Sequence, residues 1–196
     1  MLDLPATESD RRPVILICAW DSGDEVWDPV ENLSGDEWTP PGARSLTLDA
    51  AEPDALLAII SDWLSKRGSR ALLLVGRAPR GGDDFMVQLR AERLREDGEA
   101  GGFTEPSVAR VTAPAALMLR ALHEEGLPAS ASSNSEDDAG SELLFRLLTA
   151  LPDGDAPAIG LLRVPEGASL DLSRKGVKAV AAAMASCLAP MPRQSA

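Results

Sequence analysis

The sequence predicts an α/β domain, a three-layer α/β/α sandwich around a largely parallel central sheet. Apolar runs of strand length, such as Val14–Ala19 and Ala71–Val75, are hydrophobic throughout instead of alternating, as strands covered on both faces are. Amphipathic helical segments separate them in the chain. At 196 residues the length suits one core better than two, so a single domain over 1–196 is expected, with 1–12 and 190–196 as frayed tails.

The elements follow in order. Val14–Ala19, after Pro13, reads as a buried first strand, and Ala43–Leu48 as a second, alternating one. Pro53–Arg67 places Leu56, Leu57, Ile60 and Leu64 at helical spacing, with proline at its start and Gly68 at its end. Ala71–Val75 is a buried strand closed by Gly76, and Phe85–Ala91 alternates weakly, as an edge strand does. Pro114–Gly126 is an amphipathic helix, Ala129–Ser132 a short strand, and Ser141–Ala150 a helix with a leucine stripe. Ala158–Val164 is the last strand and Leu172–Leu188 an alanine-rich closing helix. The connection from Ala19 to Ala43 is long, and such connections often carry binding residues.

Composition narrows the function classes. The formal net charge of −12 disfavours nucleic acid and anionic lipid as partners. No apolar stretch approaches membrane-span length, and the polar start MLDLPATESDRRP has the wrong order for a secretory signal, so a cytoplasmic location is expected. Cys18 lies within an apolar run and Cys187 far from it, with no C-x-x-C, so neither a disulfide framework nor a zinc site is indicated. No cofactor motif occurs. The single histidine, His123, sits among charges on a helix and is expected to face solvent.

Three stretches, in order, resemble pyroglutamyl peptidase I, the cysteine peptidase family that removes N-terminal pyroglutamate. ILICAWDSGDEVWDPVENL is similar to the family's opening strand and GFxPFGxxxxNPS loop. VTAPAALMLRALHEEGLPASASSNSEDDAGSELLFRLL resembles its LP-helix-GIPA-strand-SNSAGTYVCNHLFYxLL segment. IGLLRVPEGASL resembles its GFIHVPxxP strand, and together the stretches span roughly residues 14 to 188. The resemblance implies that family's fold and leaves a homo-oligomer open, since some relatives assemble.

The departures fall on the chemistry. Carried over residue by residue, the cysteine nucleophile falls on Ser141, the histidine on Arg163 and the orienting glutamate on Gln88, with Val87 the alternative register. No member of the catalytic triad is then intact. A serine hydroxyl needs an adjacent base, and a guanidinium stays protonated at any working pH. Trp20 stands for the first pocket phenylalanine, and the second has no counterpart in Trp20-Asp21-Ser22-Gly23. The expected function is therefore a pyroglutamyl peptidase-like binding or scaffold protein. The alternatives are a remodelled hydrolase using Ser141 with Glu142 or Asp138, or residual pyroglutamyl-peptide hydrolysis.

Two further features carry weight. Trp20, Trp27 and Trp38 lie in the Ala19–Ala43 connection with seven carboxylates and no basic residue. Such a segment suits a basic protein or peptide as partner, and equally a loop pinned to the body by its tryptophans. Glu136, Asp137, Asp138 and Glu142 match no metal-loop spacing, and acidic residues ahead of a helix oppose its positive end without any metal. The glycines after Val75 lack G-x-x-x-x-G-K-[ST], so no phosphate loop is read there.

Overall fold

The computed structural model describes residues 12–20, 27–33, 37–48, 53–66, 69–78, 82–93, 108–134, 136, 138–150 and 156–188. Of the tails read as frayed, only Arg12 falls within them, and Asp137, Asp21, Asp24, Glu25 and Asp36 lie outside.

Six strands form one sheet in the order β2-β1-β3-β8-β4-β7. They are β1 (Val14–Ala19), β2 (Arg44–Leu48), β3 (Ser69–Arg77), β4 (Phe85–Gln88), β7 (Ala129–Ser132) and β8 (Ala158–Val164). β2, β1, β3 and β8 are mutually parallel, and β4 joins β8 antiparallel while pairing parallel with β7. The sheet is mostly parallel and flanked by helices, as expected. Its central strands β1, β3 and β8 are apolar on both faces because both faces are covered.

The two faces hold separate cores. Ile15, Ile17, Leu73, Val75, Leu162 and Val164 face α2 (Ala115–Glu124) and α4 (Leu170–Ala185). Leu16, Cys18, Leu72, Leu74, Ile159 and Leu161 face α1 (Pro53–Lys66) and α3 (Ala139–Ala150). Burying one leucine-sized side chain contributes about 1.5–3 kcal/mol, so these alternating rows dominate the fold's stability. Gly126 ends α2 at φ 72°, a left-handed conformation that costs glycine little.

The segment read as one edge strand, Phe85–Ala91, is corrected by the structure. β4 stops at Gln88 and lies inside the sheet, between β8 and β7. The chain then leaves the sheet as β5 (Arg90–Glu92), which pairs antiparallel with β6 (Val108–Arg110) in a two-stranded ribbon against α3. The sequence shows no sign of β6, because three residues cannot display a period. α3 starts two residues before Ser141, and α4 two residues before Leu172, ending at Ala185. At α4 the side chain of Ser169 caps the N–H of Leu172, a local signal overlooked in favour of the apolar run.

Candidate functional site

The parallel strands β1, β3 and β8 end together beside the N-terminus of α3, a position where α/β sheets commonly bind ligands. A small cleft of about 110 Å³ opens there, lined among others by Trp20, Gly76, Arg77, Asp138, Gly140 and Arg163. Trp20 follows β1 directly, its N–H donating to Val75 O at 2.8 Å. Gly76 and Arg77 close β3, and Arg163 is the penultimate residue of β8, opposite Gly76 in register.

Arg163 organises the site. Its guanidinium is 2% exposed and grips Asp138 with two hydrogen bonds, Nη1 to Oδ2 at 2.6 Å and Nη2 to Oδ1 at 3.0 Å. Such fork-to-fork pairing is the strong, orienting form of the ion pair. Nη2 also donates to Ser141 Oγ at 2.8 Å, and Nη1 to Arg77 O at 3.1 Å. Ser141 is buried in the first turn of α3.

Asp138 performs two tasks at once. Immediately before α3, its Oδ1 accepts the N–H of Ser141 at 2.8 Å, satisfying a backbone donor the helix cannot pair internally. Its carboxyl is partly buried, which by itself raises a pKa. The hydrogen bonds and charge of Arg163, with the N–H and hydroxyl of Ser141, outweigh that and hold it below the usual carboxylate value. A depressed folded pKa means the pair stabilises the fold above the unfolded carboxyl's pKa, about 3.9. That stabilisation is lost as pH falls through the lower, folded value. The urea midpoint is expected to drop between pH 6 and pH 3, by less in Asp138→Asn, as read by circular dichroism.

Gln88 is fully buried at the end of β4. Its Nε2 donates to Arg90 O at 2.9 Å and to Asn134 O, tying the Ser133-Asn134 stretch to the sheet. Arg90 Nε reinforces this by donating to Ser133 O. No hydrogen bond links Gln88 to Ser141 or Arg163 among the described residues, whereas Ser141 and Arg163 meet directly. Val87, the alternative register, points into the opposite core with Leu162.

The tryptophans divide. Trp20 is half-buried at the cleft. Trp27 is buried on the other face of the sheet, with the Arg77 guanidinium 4.8 Å from its ring centroid. Trp38 is half-buried against the same core, 6.0 Å from Lys178 Nζ of α4. Arg174 of α4 pairs with Glu31, holding the Trp27–Leu33 segment to that helix. His123 is exposed on α2, its Nε2 2.9 Å from Ala129 O. Among the described residues, no group of three or more His, Cys, Asp or Glu is placed to hold a metal.

Sequence reasoning missed Gly76, Gly140, Leu143 and Leu161 as cleft residues. The signal for Gly76 was present, since a glycine closes the run Ala71–Val75, but it reads equally as a strand stop.

No protein-family model and no curated protein matches the chain. Solved structures do. Pyroglutamyl peptidase I of Bacillus amyloliquefaciens superposes with a TM-score of 0.70 at 20% identity, covering 89% of this chain and 97% of that one. Pyrrolidone carboxyl peptidase of Thermus thermophilus gives 0.67 at 17%, covering 86% and 98%. That of Fervidobacterium islandicum gives 0.70 at 17%, covering 87% and 96%. The chain therefore has the fold of pyroglutamyl peptidase I over nearly nine-tenths of its length.

Proposed function

We propose that this protein is a pyroglutamyl peptidase I-like protein that does not hydrolyse peptides and acts by binding, as a partner or scaffold. The observation that supports this is the company of the Ser141 hydroxyl: a guanidinium at 2.8 Å and a carboxylate already held by that guanidinium. Neither group is a base suited to neutral pH. Arg163 carries no acceptor, and Asp138 sits below the range a general base requires. The purified protein is expected to release no fluorophore from a pyroglutamyl-linked substrate. Turnover that disappears in Ser141→Ala would overturn the reading.

A serine-based hydrolase remains the second reading, because Ser141 sits at a helix N-terminus in contact with a carboxylate. The same depressed acidity counts against it. Restoring Cys at 141 and His at 163 together is a poor route to activity, since members of a catalytic unit act jointly and Gln88 is engaged elsewhere.

For the partner, the Trp20–Trp38 region favours a basic protein or peptide. Trp38 already stands near a lysine of its own chain, and the net charge of −12 would steer a cation toward it. An oligo-arginine peptide is expected to bind with salt-sensitive affinity, weakened about tenfold by Trp38→Ala. Equal binding by the variant in a fluorescence anisotropy titration would remove Trp38 from the interface. Among the described residues, no helix is long and apolar enough to cross a membrane. A cytoplasmic location and any homo-oligomer belong to this proposal.

A further inference from the structure

Two buried polar atoms beside α3 find no hydrogen-bond partner among the described residues, and they are complementary. One is Nε of Arg163, a donor, and the other is Oε1 of Gln88, an acceptor. Their side chains are 2% and 0% exposed, so bulk solvent serves neither. Buried groups of this kind are nearly always hydrogen-bonded in folded proteins.

The sheet register makes the two residues neighbours. Arg163 of β8 stands opposite Met86 of β4, and Gln88 lies two residues farther along β4. Partners in register share a face, as do residues two apart, so Arg163 and Gln88 project from one face as a diagonal pair. Their Cβ atoms are then roughly 7 Å apart, a gap that two long side chains span.

The planar guanidinium fixes where the spare N–H lies. Its end grips Asp138 through Nη1 and Nη2. The other N–H of Nη1 serves Arg77 O, on the β3 side, where Gly76 also lies. The other N–H of Nη2 serves Ser141 Oγ, and Nε–H runs parallel to it on that same edge of the fork, the edge turned from β3. β4 is the strand on that side of β8. A hydroxyl oxygen accepts twice, so Ser141 Oγ keeps a lone pair beside Nε–H.

We propose that a single buried water is bound here, accepting from Arg163 Nε–H and donating to Gln88 Oε1 and Ser141 Oγ. Buried waters typically make about three hydrogen bonds, and this place offers one donor and two acceptors. Other small guests are mismatched. An anion would take the N–H but meet two oxygen lone pairs, and an ammonium ion would serve the oxygens beside a guanidinium charge. The bridge joins Gln88, which holds Asn134 O, to the first turn of α3. It stands apart from the non-catalytic reading, which the pyroglutamyl turnover assay decides.

Water–protein NOE and ROE spectra of the ¹⁵N-labelled full chain test this, with the Arg163 Nε–Hε signal identified by its loss in Arg163→Lys. A long-lived buried water gives cross peaks of opposite sign in the two spectra at the solvent frequency. Such a pair is expected at Arg163 Hε in the wild type, kept in Ser141→Ala and lost in Gln88→Met. The serine variant removes hydroxyl exchange as a source of the peak. Absence of the peak in the wild type, its loss in Ser141→Ala, or its full retention in Gln88→Met would each overturn the proposal. The wild-type spectrum alone stays decisive should Gln88→Met fail to fold.

Discussion

Asp138→Ala is expected to lower the free energy of unfolding by about 3–5 kcal/mol, because it strands a guanidinium inside the protein. Arg163 is 2% exposed and Asp138 is its one carboxylate partner among the described salt bridges, so the cation loses its counter-charge where it has little contact with water. The variant also removes the cap from α3, a further loss of about 1 kcal/mol. Arg163→Met should cost less. Its partner Asp138 is 36% exposed, so a carboxylate released from the pair rehydrates while still capping the helix. The double variant Asp138→Ala/Arg163→Met should therefore be more stable than Asp138→Ala alone. Urea denaturation of the four proteins closes the cycle. Asp138→Ala proving no worse than Arg163→Met would show that the cation finds solvent or another partner.

Gly176→Ala is the second large effect, and its sign opposes helix propensity. In an exposed helix interior alanine would gain about 1 kcal/mol over glycine. Gly176 instead faces Phe85 across the α4–sheet interface, and a Cβ there would stand 2.4 Å from Phe85 Cε1 and 2.8 Å from Cζ. Phe85 is fully buried and bound into β4, so the ring has nowhere to retreat. A net destabilisation of about 1–3 kcal/mol is expected from overpacking. A raised melting temperature in Gly176→Ala would mean that α4 slides on the sheet without cost. Phe85→Leu should partly rescue the alanine variant, because it removes the ring edge that meets the new carbon.

The fold was legible wherever burial imposes a period. β1, β8 and α1 were read almost to the residue, since a strand covered on both faces must be apolar throughout and α1 must show one apolar stripe. β4 was misread because its partner in register, β8, is reached only through the whole of residues 89–157. A segment of four residues does not advertise whether it lies inside a sheet or at its edge. At the site, the proximity of Ser141 to Arg163 followed from their places in the resemblance, and Asp138 was named only beside Glu142 as a carboxylate for Ser141 and among the acids ahead of a helix. Which carboxylate wins depends on helix geometry: the residue directly ahead of α3 both caps it and faces the end of β8. Gln88 could not be placed from sequence, since its amide is spent on backbone carbonyls that bear no side-chain signature.

The place of β8 in the sheet has a consequence for how the chain acquires its shape during synthesis. Among the described strands β8 is the last made, yet it lies between β3 and β4 and alone joins β2-β1-β3 to β4-β7. Until residues 158–164 leave the ribosome, the edges of β3 and β4 that β8 covers in the finished sheet lack that partner. Vectorial growth thus leaves the nascent protein with backbone that invites strangers until its last described strand is made. A stalled chain ending near residue 150 should accordingly be recognised by chaperones, digest readily with protease, and gain resistance only when the final strand and α4 are supplied.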